Sequence, residues 1–246
     1  MNTHVHPIIT TSALSKKYQE NKVLDSLNLS INKGEIFGFL GHNGAGKTTT
    51  VSILTTLIAP TSGTATVCGF DTQKEPQEVQ KRIGYLPENV KFYDSLTAYE
   101  NLEYLGQLSG VQNLKNKIHE VLVFLDFVGI ENKKLGEFSK GMRQRIGIAQ
   151  AILHDPEVLF LDEPTSGLDP MGIKKLRDII IKLNREKGMT IFMNTHLLSE
   201  VAKTCTTIGV LNQGKLIYCD SLTKTMERFH DESSLEEIYF NLGDKK

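Results

Sequence analysis

The chain has no tryptophan, only three cysteines and no long apolar run. Cys68, Cys205 and Cys219 are odd in number and lack the spacing of a metal-binding cluster, so they read as reduced cytosolic thiols. A membrane-crossing helix needs about 20 mostly apolar residues. The best stretches here break early: Val121 to Val128 is interrupted by Asp126, and Val158 to Leu161 ends at Asp162. Met1 to Thr10 lacks a basic start followed by an apolar stretch, so no secretion signal is expected. Charge of one sign is also missing. Lys+Arg of 28 against Asp+Glu of 29 leaves a net charge of −1, which argues against a broad nucleic-acid footprint, and no nucleic-acid partner is expected.

What is present is ordinary globular material. A 39% hydrophobic and 23% charged chain of 246 residues can bury a core without staples and spans one to two domains at roughly 150 residues each. Alternating Leu27, Leu29 and Ile31 predict a half-buried strand over 23–31, and Ile36 to Leu40 a second. A helix is predicted from Lys47 to Leu57, stopped before Pro60, then strands at 64–68 and 83–86. Helical spacing dominates 97–109, 113–128 and 140–153. After Pro156 strands and helices alternate: strand 158–161, helix 171–186, strand 190–194, helix 197–203, then a hairpin of 207–211 and 215–219. The capping-box chemistry of Ser233 to Glu237 opens a short terminal helix. Alternating strands and helices indicate an α/β fold with a largely parallel sheet. The helical block at 89–155 reads as an insertion, leaving 1–88 and 156–246 as the core.

Gly41-His42-Asn43-Gly44-Ala45-Gly46-Lys47-Thr48 fits the phosphate-loop pattern G-x-x-x-x-G-K-[ST], between an apolar strand and a helix. Glycines allow a tight fold that aims N–H groups at phosphate oxygens, and the helix start adds a positive dipole end. Lys47 supplies a point charge for the β- and γ-phosphates, and Thr48 a hydroxyl for Mg²⁺. Carboxylates are then required. The apolar run Val158 to Leu161 delivers Asp162 at a strand's C-terminal end, where open α/β sheets bind ligands. Asp162 is expected to hold Mg²⁺ through water, and the adjacent Glu163 to act as general base on the attacking water.

Phe138-Ser139-Lys140-Gly141-Met142-Arg143-Gln144-Arg145 narrows the family. It resembles the signature motif of ABC-transporter ATPases, usually LSGGQ followed by a basic residue, Gln and Arg. Phe138, Lys140 and Met142 depart from that pattern, whereas Ser139 and Gly141 are retained. On its own the stretch also reads as a basic amphipathic helix with an N-cap serine. Ser166-Gly167-Leu168-Asp169 is similar to the D-loop, and Thr195-His196 to the switch histidine that meets the γ-phosphate. Tyr18 matches the adenine-stacking aromatic, although as a lone residue it reads equally as a surface or core tyrosine. Gly84 to Glu88 matches the Q-loop, with Glu88 where Gln is usual.

The resemblance spans nearly the whole chain. It implies a P-loop ATPase core with a mixed, largely parallel sheet, an N-terminal antiparallel β subdomain and an inserted helical subdomain. It implies nucleotide contacts from Tyr18, from Gly41, His42, Asn43, Gly44, Ala45, Gly46, Lys47, Thr48 and Thr49, and from Ser139, Gly141 and Asp169. Thr48, Asp162 and Glu88 are the implied Mg²⁺ ligands, with Glu163, His196 and Lys47 catalytic. It further implies a homo- or heterodimer around two ATP molecules, bound to a separate multi-span permease on the cytoplasmic face of the membrane. The forms G-Y-L-P-E, F-S-K-G-M and S-L-E-E-I are similar to the drug, antibiotic and polysaccharide export branch. Two other readings stay open at this level: a soluble ABC ATPase acting on ribosomes or DNA, and a P-loop kinase with a small-molecule acceptor.

Overall fold

The computed structural model describes residues 7–229, 235 and 237–239. Two sheets organise it. The first is antiparallel, with strand order β2-β1-β4-β5. It comprises β1 (Pro7–Tyr18), β2 (Asn21–Asn32), β4 (Ser62–Val67) and β5 (Phe70–Asp71). The second is six-stranded, in the order β10-β9-β3-β8-β7-β6. It comprises β3 (Ile36–Leu40), β6 (Ile83–Leu86), β7 (Val158–Asp162), β8 (Thr190–Asn194), β9 (Thr207–Asn212) and β10 (Lys215–Ser221). All its pairings are parallel except the β9–β10 hairpin. The expected mixed α/β architecture with an antiparallel β unit is therefore what the chain adopts.

The central strands are apolar on both faces, as parallel strands covered twice must be. Period-two alternation divides their side chains between two cores. Phe37, Phe39, Phe160 and Phe192 face the antiparallel sheet together with Leu27, Ile31 and Val67. Their rings lie 5.3–6.1 Å apart, and each fully buried ring contributes about 1.5–3 kcal/mol. Leu40, Leu159, Leu161, Ile191 and Met193 face the helices.

The helices are α1 (Lys47–Leu54), α2 (Pro76–Gln80), α3 (Ala98–Leu108), α4 (Leu114–Phe124), α5 (Lys140–Ile152), α6 (Pro170–Lys187), α7 (Leu198–Thr204) and α8 (Leu222–Arg228). Two end earlier than the sequence suggests, for one shared reason. The α1 helix stops at Leu54 because Thr56 turns left-handed (φ 64°), with Leu57 N–H on Ser52 C=O at 2.8 Å and Thr56 N–H on Ile53 C=O at 3.1 Å. The α4 helix stops at Phe124 because Asp126 does the same (φ 56°), with Phe127 N–H on Leu122 C=O at 2.8 Å. Both are Schellman ends with a residue other than glycine at the left-handed position, so the usual glycine stop signal is absent. Strand β4 runs 62–67 rather than 64–68, since Cys68 has φ 53° and begins a turn. Strand β5 and helices α2 and α8 are not anticipated by the periodicity of the sequence.

Helices α3, α4 and α5 lie between β6 and β7 in the chain. The second half of α5 packs directly on the sheet. A Cβ on Gly147 would sit 2.4 Å from Leu86, and one on Gly84 2.3 Å from the Ala151 carbonyl. Of the expected terminal helix, Leu235 and residues 237–239 are helical, while Ser233, Ser234 and Glu236 lie outside the described residues. No helix among the described residues is long and apolar enough to cross a membrane.

Candidate nucleotide site

Neighbouring parallel strands end on one side of the sheet and deliver the candidate residues there. Strand β3 runs into Gly41, β7 into Glu163, β8 into Thr195 and His196, and β6 toward Glu88. A cleft of about 380 Å³ lies at these ends. Asn43, Gly44, Gly46, Lys47, Thr48, Thr49, Glu88, Glu163 and His196 line it, together with Val23 and Asn194.

The loop's shape depends on its glycines at two points. Gly46 has φ 108°, and a Cβ there would lie 2.7 Å from Leu24 Cδ2 and 2.8 Å from the Val23 carbonyl. Gly44 has φ 84° and stands open to the cleft. Gly41 and Ala45 are buried beneath the loop and shape it rather than wall the cleft. The Lys47 ammonium folds back on the loop, donating to the Gly41 carbonyl at 2.6 Å and the His42 carbonyl at 3.2 Å. Burial pulls its pKa down, and the Glu163 and Asp162 charges oppose that.

Asp162 is 5% exposed, and burial raises its carboxyl pKa. Asn194, its register partner on β8, donates from Nδ2 to Asp162 Oδ1, which opposes the rise, while Glu163 and Glu88 add to it. Asn194 Oδ1 is itself buried with no hydrogen-bond partner. Glu163 leaves the strand with φ 46°, a left-handed conformation uncommon outside glycine, fixed by its N–H on the Asn194 carbonyl at 2.9 Å. That turn sets its carboxylate 2.8 Å from His196 Nδ1. Asp162 and Glu163 thus lie near one buried lysine, with Glu88, Thr48 and an orphaned amide oxygen alongside. This donor set fits a hard divalent cation such as Mg²⁺, which takes one or two carboxylates and completes its shell with water and phosphate oxygens.

Ser139, Gly141 and Asp169 line a second cleft of about 360 Å³, together with Lys140, Arg145 and Lys175. It shares no lining residue with the first. Ser139 caps α5 by accepting the Met142 N–H at 3.3 Å. Asp169 caps α6 by accepting the Gly172 N–H at 2.7 Å, so that carboxylate already serves its own helix. Tyr18 is not brought into either cleft: its ring is 48% exposed at the end of β1, with the Lys16 ammonium 5.0 Å from its centre. Val23 holds the neighbouring wall instead. Sequence reasoning also missed Asn194. Its one signal was a polar residue closing the apolar run Thr190 to Met193.

A phosphate loop after a central parallel strand, with an acidic residue ending the next strand but one, defines a P-loop ATPase. The ABC transporter family profile matches residues 24–166. The chain is 48% identical over 213 residues to the bacitracin transport ATP-binding protein BcrA of Bacillus licheniformis, covering 85% of this chain and 68% of that protein. It is 38% identical over 232 residues to the ABC transporter ATP-binding protein NatA of Bacillus subtilis, covering 92% and 94%. Among solved structures, an ATP-binding subunit of an ABC transporter superposes with a TM-score of 0.84 at 27% identity, over 96% and 99% of the two chains. A dimeric cassette, MJ0796, in a post-hydrolysis state bound to ADP and Pi, gives 0.77 at 26%, over 87% and 98%. The chain belongs to the ATP-binding subunits of ABC transporters and is an ATPase.

Proposed function

We propose that this chain powers an exporter. Two ATPase subunits, identical or mixed, close around two ATP molecules and drive a separate multi-span permease at the cytoplasmic face of the membrane. The observation that carries this reading is the pair of separate clefts. One holds the phosphate loop and the carboxylates, the other the Ser139 helix start, and each is half of a nucleotide site that a second subunit completes. Relatives named for bacitracin transport and for linearmycin resistance support export. Residues 89–155 form the helical unit that carries Ser139 and Gly141, set into a core of 1–88 and 156–246.

In this reading the backbone from Gly41 to Thr49 cradles the phosphates, and Lys47 leaves the loop carbonyls for the β- and γ-phosphate oxygens. Thr48, Asp162 and Glu88 are the residues that would hold Mg²⁺, which would neutralise charge on the phosphates. Glu163 accepts the proton of the attacking water, and His196 holds that carboxylate in place and reaches the γ-phosphate. Ser139 and Gly141 of the partner subunit close over the same phosphates. Tyr18, in this reading, meets the adenine only when nucleotide draws the β1–β2 end inward.

Glu163→Gln tests the arrangement. It is expected to bind ATP and to sediment as a dimer with ATP present, while turnover falls about 10²- to 10⁴-fold, the usual worth of a general base. Normal turnover would remove Glu163 from its role. A variant that binds ATP yet stays monomeric would remove the shared-site reading. Co-purification with a multi-span protein from detergent extracts tests the permease.

A further inference from the structure

Asp162 and Glu200 are the buried carboxylic acids among the described residues. Asp162 stands at the nucleotide cleft, but Glu200, 8% exposed, lines neither cleft. Its partner is Arg177 of α6, whose Nη1 donates to Glu200 Oε2 at 3.0 Å and to Oε1 at 3.3 Å. Stability alone gives little reason for such a pair, because withdrawing two charges from water offsets most of their attraction. Its place in the fold gives a better one. Glu200 is the third residue of α7, where a glutamate commonly reaches back to the N–H of the residue preceding the helix. Here that N–H, of Leu197, goes to Thr195 Oγ1 at 3.1 Å, and the Glu200 carboxylate turns to α6 instead.

Leu197 and Thr195 are the two chain neighbours of His196. The imidazole between them is half exposed, so packing does little to hold it on Glu163, and the backbone on either side must set its place. On one side Thr195 is buried, with its N–H on the Phe39 carbonyl of β3 at 3.3 Å. On the other side α7 is seated on β3 by Val201, whose Cγ1 lies 2.9 Å from where a Gly38 Cβ would stand. The ion pair then ties the first turn of α7 sideways to α6, the helix whose Asp169, Gly172 and Lys175 wall the second cleft. We propose that Arg177 and Glu200 are positioning residues for His196: the buried pair holds the start of α7 on α6 and so keeps the imidazole against the Glu163 carboxylate. The inference rests on the proposed reading of Glu163 as general base with His196 holding it.

The variant carrying both Arg177→Met and Glu200→Leu replaces the pair by apolar groups and strands no charge, so its melting temperature should change little. Its kcat for ATP, measured on the full chain, is expected to fall about 10- to 100-fold, the effect of a small displacement at the reacting groups, with KM unchanged. Should that variant fail to fold, Glu200→Gln, nearly the same in shape, makes the same test. In a His196→Ala background, losing the pair should cost no further turnover. Unchanged kcat overturns the inference, as does a lowered melting temperature with kcat intact, or an equal further loss in the His196→Ala background. His196→Ala alone separates this from the underlying reading. If His196→Ala is impaired and loss of the pair is harmless, only the role of Arg177 and Glu200 falls. If His196→Ala turns over normally, the reading of His196 falls and the inference with it.

Discussion

Asp162→Asn should stabilise the protein while disabling it. Asp162 is almost fully buried beside Glu163 and Glu88, and burial raises its carboxyl pKa above the unfolded value, with Asn194 and Lys47 offsetting only part. A carboxyl whose folded pKa lies above the unfolded one favours folding below the unfolded value, near 3.8. That contribution is lost as pH rises through the folded value, so at neutral pH the ionised group works against the fold. Asparagine removes the charge, keeps an oxygen for Asn194 Nδ2 and brings a new donor beside Asn194 Oδ1, which has no partner. A gain of about 1 kcal/mol is expected, or roughly 2–4 °C in melting temperature for a chain of this size. The assay is thermal unfolding in EDTA without nucleotide, from pH 7.5 downward. The variant should melt higher at neutral pH, and its advantage should shrink as acid protonates the wild-type carboxyl. With Mg-ATP the order should invert, because ligand at about 100 times its Kd stabilises the wild type by about 2.7 kcal/mol and the variant binds it poorly. A variant that melts lower than wild type in EDTA, or an advantage that does not change with pH, would refute the reasoning.

Two further predictions follow from backbone geometry. Thr56→Gly at the end of α1 relieves a left-handed threonine that lacks a glycine's freedom, and should raise the melting temperature with ATP turnover unchanged, a gain of up to about 1 kcal/mol. Gly46→Ala places a Cβ 2.7 Å from Leu24 and 2.8 Å from the Val23 carbonyl at φ 108°, so ATP affinity should fall by at least about tenfold in an equilibrium titration, even where the fold survives.

The chemistry was legible where it is local. Gly41 to Thr48 and Val158 to Glu163 are contiguous runs whose candidate roles are read from residue type and order, because a tight glycine turn and a buried strand end need no distant partner to be recognised. The parallel sheet was legible for the same reason, since strand and helix periods are short. Helix ends were less so, because Thr56 and Asp126 occupy left-handed positions that only their hydrogen bonds reveal. The sequence has no long apolar run, and no helix among the described residues is long and apolar enough to cross a membrane.

Tertiary structure decided how those runs meet. It set Asn194 on Asp162 across 32 residues, turned Glu163 onto His196 across 33, and placed the Ser139 helix start in a cleft apart from the phosphate loop. None of these has a local signature, since residue types and periods describe what a segment prefers and not which distant segment it meets. Burial of both faces of the central strands fixes that choice, because the strand order that covers their apolar side chains also aligns the strand ends. The sequence by itself determined that this protein handles a triphosphate, and the sheet decided which groups surround it.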